Sequence, residues 1–331
     1  MSHENDALLR ALLGPTAPTP AWSAKSLLLG GSISPLKWAP RFEAWASPLS
    51  DTADQMCQNA ESVIGRAIEV DPVLSRVNLR IFAQGSYKAN TNVREDSDVD
   101  ICVCHKDTFF YDLPVGASIG NAGIGPAGVS FADFKNQVGT ALHNRFGYDD
   151  VTRGGKAFNV KANTYRIHAD VVPAIEYRRY YWQGPYLNYM SGISFVTDSG
   201  EYVINWPEHT LANGRAKNED TKRRYKKVVR VLKGLRYEME EKGYASAKKV
   251  SSFQIACFAY NLENHWYGND DLYDDVKGVA KQIWFKTYDA SRCSSWTEID
   301  EIKPIFASDL KRIDASNFFW DLLQYAELSN S

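Results

Sequence analysis

Hydrophobic and polar positions change period several times along the chain, and each change predicts an element. From Ser50 to Glu69 apolar residues recur at helical spacing, Ser50 or Asp51 stands where an N-cap belongs, and Pro72 lies just past the end, so one long helix is expected. Val77, Leu79 and Ile81 then alternate with polar residues, the two-residue period of a strand ending near Gly85, and Asp98 to Cys104 reads as a second strand. Five glycines between Pro114 and Gly128 predict a mobile loop, and Ser130 with Asp133 opens a helix running to about Arg145. Strands are expected near Phe158 to Val160, Tyr165 to Val172, Ile193 to Thr197 and Tyr202 to Asn205, the last two joined in hairpin fashion by Asp198-Ser199-Gly200. Beyond Pro207 the period is helical, over about Lys217 to Lys242, Ser252 to Asn264, Leu272 to Phe285 and Asn317 to Glu327. The first forty residues, with Pro15, Pro18, Pro20, Pro35 and Pro40, predict an irregular arm.

Composition narrows the class. A chain of 331 residues with 44% hydrophobic and 24% charged positions is long enough for two lobes and excludes collagen-like, coiled-coil and disordered readings. No apolar run approaches the roughly 18 to 20 residues of a membrane span, and Glu4 and Asp6 stand where a secretory signal would be basic, so a cytoplasmic protein is expected. The five cysteines, Cys57, Cys102, Cys104, Cys257 and Cys293, form no C-x-x-C pair and suggest neither a disulfide framework nor a zinc site.

The net charge of −2 conceals an asymmetry: Arg215 to Arg236 carries a local +8 and leaves the remainder at −10. On one helix at about 100° per residue, Lys222, Lys226, Arg230 and Lys233 fall within an arc of about 80°, while Tyr225, Val229, Leu232, Leu235 and Met239 form a core-facing stripe. A helix of this kind packs by one face and offers cations on another, which serves either a solvated surface or phosphate binding.

Candidate chemistry lies in Gln84-Gly85-Ser86-Tyr87 and in Asp98-Val99-Asp100-Ile101, eleven residues later. Strand alternation points Asp98 and Asp100 to one face and Val99 and Ile101 to the other. Two like charges within about 4 Å repel by about 4 kcal/mol at an effective dielectric near 20, so such a pair calls for a cation. Oxygen-only ligands at this density favour Mg²⁺ with substrate phosphates. Gly85-Ser86 ends a strand where a backbone amide and a hydroxyl can donate to phosphate oxygens. Asp170, in Ile167-His168-Ala169-Asp170-Val171-Val172, lies on another alternating strand, either as a third metal ligand or as a core aspartate held by Arg166 or backbone amides. Two ions held by three carboxylates would clamp the attacking and leaving oxygens of a phosphoryl displacement, Asp98 and Asp100 bridging both and Asp170 serving the ion that activates the attacking hydroxyl.

A Gly-Ser pair followed by Asp-x-Asp and a later strand aspartate resembles the polymerase-β-type nucleotidyltransferase superfamily. Within it, Gln84 to Tyr87, Ser97 to Ile101, Asp170-Val171-Val172-Pro173, the stretch from Gly192-Ile193 to Asn205-Trp206-Pro207, and Ser251-Ser252-Phe253 resemble the cyclic GMP-AMP synthase-like, or CD-NTase, family of bacterial antiphage signalling. The similarity runs in matching order from about Leu49 to Asn264.

The resemblance implies an α+β fold: a polymerase-β-like core with a mixed sheet, then a C-terminal helical domain, two lobes around a central cleft. It divides the chain into an irregular arm (1–48), a nucleotidyltransferase core (49–214) and a helical domain (215–331). It implies that Asp98, Asp100 and Asp170 hold two Mg²⁺ ions, with Mn²⁺ as a substitute. Gly85 and Ser86 bind the donor triphosphate, Gln84 lies near the base, Lys233 is a triphosphate-binding lysine, Ser252 a phosphate-binding serine and Phe253 a base-stacking aromatic where the family commonly has tyrosine. The implied activity is template-independent joining of ribonucleoside triphosphates, ATP or GTP foremost, into a cyclic di- or trinucleotide second messenger. Its implied partners are a product-sensing effector and regulatory proteins, without a membrane and without a nucleic-acid activator, since the zinc-ribbon cluster of the metazoan members has no counterpart here. The alternatives are a linear oligoadenylate synthase, another small-substrate or protein nucleotidyltransferase, or a nucleic-acid-binding module with an inactive core using the Arg215 to Arg236 helix. Bottom-up, Lys233 also reads as a surface lysine, and Ser252-Phe253 as a helix start with a core aromatic.

Overall fold

A computed structural model of the chain describes residues 34–93 and 97–329. They fall into two compact units, a mixed one of residues 48–216 with 299–301 and a helical one built from residues up to 47, 217–298 and from 302 on. Among the described residues, no helix is long and apolar enough to cross a membrane.

The mixed unit is built around one sheet. Helix α2 (Asp51–Glu69) starts where Ser50 accepts a hydrogen bond from the Ala53 amide at 3.2 Å, a cap worth about 1 kcal/mol. Strand β1 (Leu79–Gln84) runs directly into a single helical turn, α3 (Gly85–Lys88). The next strand, β2 (Val99–Asp112), begins one residue after Asp98 and extends well beyond Cys104. Helix α4 (Phe131–Phe146) is capped by Ser130, as its spacing from Asp133 predicts. The remaining strands are β3 (Val151–Arg153), β4 (Phe158–Val160), β5 (Ala169–Gln183), β6 (Tyr186–Val196) and β7 (Tyr202–Asn205). They form one sheet in the order β1-β2-β5-β4-β3, with β6 pairing β5 beyond the end of β4, and β7 pairing β6.

Among the described strands only β2 and β5 run parallel, bringing together residues seventy apart: Asp100 pairs with Asp170 and Ile101 with Val171. Alternation sends Val99, Ile101, Val103, Ala169, Val171, Phe158 and Ala83 to the face packed by α2 and α4, where Cys57, Ile64, Ile68, Phe134, Val138 and Leu142 complete the core. The other face carries Asp100, Cys102, Cys104, Asp170 and Ala174. Strand β1 is the sheet edge, and the Glu61 carboxylate of α2 accepts from its Ala83 amide at 3.1 Å, covering a donor that would otherwise be open to another chain.

Several expectations need correction. Residues up to 33 of the expected arm lie outside the described residues, and Ser34–Ala46 is not irregular but a helix, α1, because Trp38 and Phe42 bury themselves in the helical unit at 1% and 0% exposure. The stretch expected as one helix from Lys217 to Lys242 is two, α5 (Pro207–Asp220) and α6 (Arg224–Glu241). Lys222 and Arg223 take left-handed φ values of 50° and 65°, while Thr221 Oγ1 and Asn218 Oδ1 accept the Tyr225 and Lys226 amides at 3.1 Å. The glycine-rich loop is tied down at one end, where the Trp182 indole donates to the Val115 carbonyl at 3.0 Å. Strands β5 and β6 reach far past the segments expected for them and form a long antiparallel ribbon from Ile175–Ser194 to Gln183–Tyr186. The helical unit continues with α7 (Ser252–Tyr260), α8 (Leu272–Tyr288) and α9 (Asp309–Tyr325).

Candidate active site

Four polar residues line up across four strands. Gln84 of β1 pairs with Asp100 of β2, Asp100 with Asp170 of β5, and Asp170 with Asn159 of β4. Because partners in register share a face, this row stands on the side of the sheet away from α2 and α4. Asp98, exposed, precedes the row by two residues and shares its parity; Asp100 and Asp170 are half-buried.

Asp100 sits hard against the start of α3. A Cβ on Gly85 would lie 2.0 Å from Asp100 Oδ2, and Gly85 has φ +70°. Glycine is therefore required twice over at this position, for backbone conformation and for the approach of a carboxylate. Sequence reasoning assigns that closeness to a phosphate, whereas here it serves Asp100. Ser86 follows in the first turn of α3, where leading amides have no intrahelical acceptor.

Burial, followed by the negative charges of Asp170 and Asp98, pushes the Asp100 carboxyl up to about 6. Neither Arg166 nor a backbone amide holds Asp170: the Arg166 guanidinium lies over the Phe146 ring at 4.8 Å, and Asn159 Nδ2 donates to Asp170 Oδ1 at 3.1 Å. Among the described residues, no group of three or more His, Cys, Asp or Glu side chains closes on one point as a metal shell would. The three aspartates are thus neighbours in charge rather than a finished coordination cage. An oxygen-only donor set in which the charges of Asp170 and Asp98 add to the burial that raises Asp100 nevertheless fits a hard divalent cation.

The other expected residues lie in the helical unit. Lys233 of α6 is 3% exposed, beside Arg230 and Cys257, and burial pulls its ammonium down to about 8. Arg230 is 6% exposed and donates to the Ala46 carbonyl through Nε at 2.8 Å and through Nη2. The cation arc expected to face solvent is therefore half inside, because α1 packs across it. Ser252 begins α7 behind a capping box made by Ser251 and Gln254, and its Oγ donates to the Tyr237 hydroxyl at 2.9 Å. Phe253 is 43% exposed, so it is not a core aromatic. Lys233 and Tyr237, one turn apart on α6, bring Lys233 and Ser252 to the same α6–α7 seam.

Sequence reasoning misses Asn159, Tyr237 and Glu61. Asn159 had a faint signal, a polar residue between Phe158 and Val160 in an alternating triplet; its partner is fixed only by strand pairing.

Residues 212–327 match the family model of the cGAS/DncV-like nucleotidyltransferase C-terminal helical domain. A cyclic dipyrimidine nucleotide synthase, CdnE, from Legionella pneumophila is 40% identical over 82% of this chain and 92% of its own length. The chain belongs to the CD-NTase family. A cyclic dipurine nucleotide synthase from Elizabethkingia meningoseptica is 34% identical to this CD-NTase, over 85% of this chain and 96% of its own. Among solved structures, the Rhodothermus marinus CdnE c-UMP-AMP synthase with Apcpp and Upnpp superposes with a TM-score of 0.73 at 27% identity, covering 86% of this chain and 96% of that one. Family membership makes this CD-NTase a nucleotidyltransferase and confirms the α+β class with a C-terminal helical domain.

Proposed function

We propose that this CD-NTase joins two or more ribonucleoside triphosphates, without a template, into a cyclic oligonucleotide messenger. The observation that carries the reading is the register of Asp100 with Asp170, which sets two carboxylates side by side on the sheet face away from α2 and α4, with Asp98 two residues before Asp100. Asp98, Asp100 and Asp170 would hold Mg²⁺, which supplies charge neutralisation for phosphoryl transfer, as Mn²⁺ also can. Gly85 and Ser86 would hold the donor phosphates through the leading amides of α3 and the serine hydroxyl. Lys233 and Ser252 serve phosphate oxygens, and the exposed ring of Phe253 stacks a base, an interaction worth about 1 to 3 kcal/mol. Gln84, at the end of the polar row, is placed to meet a base edge. In each transfer a ribose hydroxyl oxygen bonds to the α-phosphorus of a second nucleotide and pyrophosphate leaves. The hydroxyl proton is lost in each transfer, and the last transfer, one for each nucleotide joined, closes the ring.

Relatives named for dipyrimidine products stand at 40% and 37% identity and one named for dipurines at 34%, so a pyrimidine triphosphate belongs among the substrates to be tried beside ATP and GTP. A diffusible cyclic product implies a separate protein that reads it.

Incubation with all four ribonucleoside triphosphates and Mg²⁺, with products resolved by mass, is expected to give a cyclic di- or trinucleotide. Purely linear products would replace the reading with a linear oligonucleotide synthase. A second expectation concerns pH. With its ammonium near 8, Lys233 loses its proton as pH rises through that value, so KM for the triphosphate should climb above pH 8. Lys233→Met should raise KM at pH 7.5 and flatten that climb; a KM unchanged between pH 7 and 9 in the parent would remove Lys233 from phosphate binding.

A further inference from the structure

Resting on the proposed metal-dependent transfer, we infer that Asn159 is a positioning residue for Asp170. Three features of the chain support this. First, the contact is directional and neutral: Asn159 Nδ2 donates to Asp170 Oδ1 at 3.1 Å. A guanidinium there would cancel the charge that a divalent cation needs, and a carboxylate would set a further negative charge beside the paired Asp100 and Asp170. A carboxamide fixes one oxygen and leaves the net charge of the site untouched.

Second, the stem of Asn159 has no freedom. It is the middle residue of β4, flanked by Phe158 and Val160 at 2% and 0% exposure and paired directly to Asp170. Phe158 is in turn seated in a notch on α4, since a Cβ on Gly139 would lie 2.6 Å from the Phe158 ring. A line of contacts thus runs from Gly139 through Phe158 to Asn159 and Asp170, fixing how far β4 lies from the helix and where the amide is delivered.

Third, the charged alternative is turned elsewhere. Arg166, four residues before Asp170, is 6% exposed over Phe146, with Nε and Nη2 lacking hydrogen-bond partners. Even with unsatisfied donors, it does not take the place that Asn159 occupies.

Partners of this kind around metal ligands typically change metal affinity by about 10 to 100-fold when removed. The experiment compares full-length parent, Asn159→Ala, Asn159→Ser and Asp170→Asn. Mn²⁺ alone is titrated into each and the free ion is followed by EPR, alongside the Mg²⁺ concentration for half-maximal turnover and the melting temperature without metal. Asn159→Ala is expected to weaken Mn²⁺ binding and raise the Mg²⁺ requirement about 10 to 100-fold. Its melting temperature should match the parent's and kcat should largely recover at saturating Mg²⁺, a split that a purely structural role would not give. Asn159→Ser keeps a hydroxyl donor and should fall between, and it decides the matter if the alanine variant does not fold. Parent-like metal dependence in the Asn159 variants, with Asp170→Asn inactive, would overturn the positioning role and leave the transferase reading intact. A parent that neither binds Mn²⁺ nor makes product would overturn both.

Discussion

Asp100→Asn is expected to abolish turnover and, in metal-free buffer at pH 7.5, to raise the melting temperature. The loss follows from position: Asp100 is central in the polar row and would hold metal, so transfer should fall by at least about a thousandfold. The gain follows from the sign of the titration. Burial and two neighbouring carboxylates lift Asp100 from the ordinary aspartate value of 3.8 to about 6 in the folded chain. The folded state therefore binds a proton more tightly than the unfolded one, and stability declines as pH rises from about 4 to about 6. Above that window the folded chain carries a strain of at most about 3 kcal/mol, at about 1.36 kcal/mol per pKa unit. Asparagine removes the charge and with it the strain, so a gain of several degrees is anticipated. Differential scanning fluorimetry at pH 7.5 and pH 4.5, each with and without Mg²⁺, reads this directly. The advantage of the variant should shrink at pH 4.5, and Mg²⁺ should stabilise the parent more than the variant. A variant that melts below the parent at pH 7.5 would mean that Asp100 is not frustrated.

Gly85→Ala should be nearly as damaging to activity, although it leaves every ionisable group in place. A left-handed φ of +70° costs alanine about 1 to 2 kcal/mol, and the new methyl carbon would be placed 2.0 Å from Asp100 Oδ2. Either α3 or the carboxylate must move. The two parts can be separated by a double-mutant cycle in urea unfolding with Asp100→Ala. With the carboxylate gone, the cost of Gly85→Ala should fall to the backbone component alone. Equal costs in both backgrounds would show that the carboxylate does not press on Gly85.

Local signals carried the first half of the fold. Ser50 and Ser130 cap the helices they were expected to cap, and Phe158–Val160 and Tyr202–Asn205 form strands with the expected bounds. The β5–β6 ribbon was harder to see, because Pro173 lies within β5 and a run of arginines and tyrosines follows, blurring alternation. Nothing in the sequence marks the break between α5 and α6, where two exposed basic residues rather than glycines adopt left-handed φ and Thr221 and Asn218 side chains accept the amides that follow. Among the candidate site residues, the aspartates were legible because type, spacing and strand period converge on them. Asn159 was not, because its role depends on which strands become neighbours. The burial of Arg230 was hidden for the same reason: α1, whose Ala46 carbonyl it donates to, lies 184 residues earlier in the chain.

That separation bears on how the protein is made. Helix α1 emerges from the ribosome early, yet the helices that receive Trp38 and Phe42 follow only after the mixed unit has been synthesised. At about 5 to 20 residues per second, its aromatic side chains wait roughly ten to forty seconds for a docking surface. The helical unit also draws on residues beyond 301. Its closure thus waits on residues made after the mixed unit, and for that interval α1 presents unburied aromatic side chains that a holdase chaperone is well suited to shield.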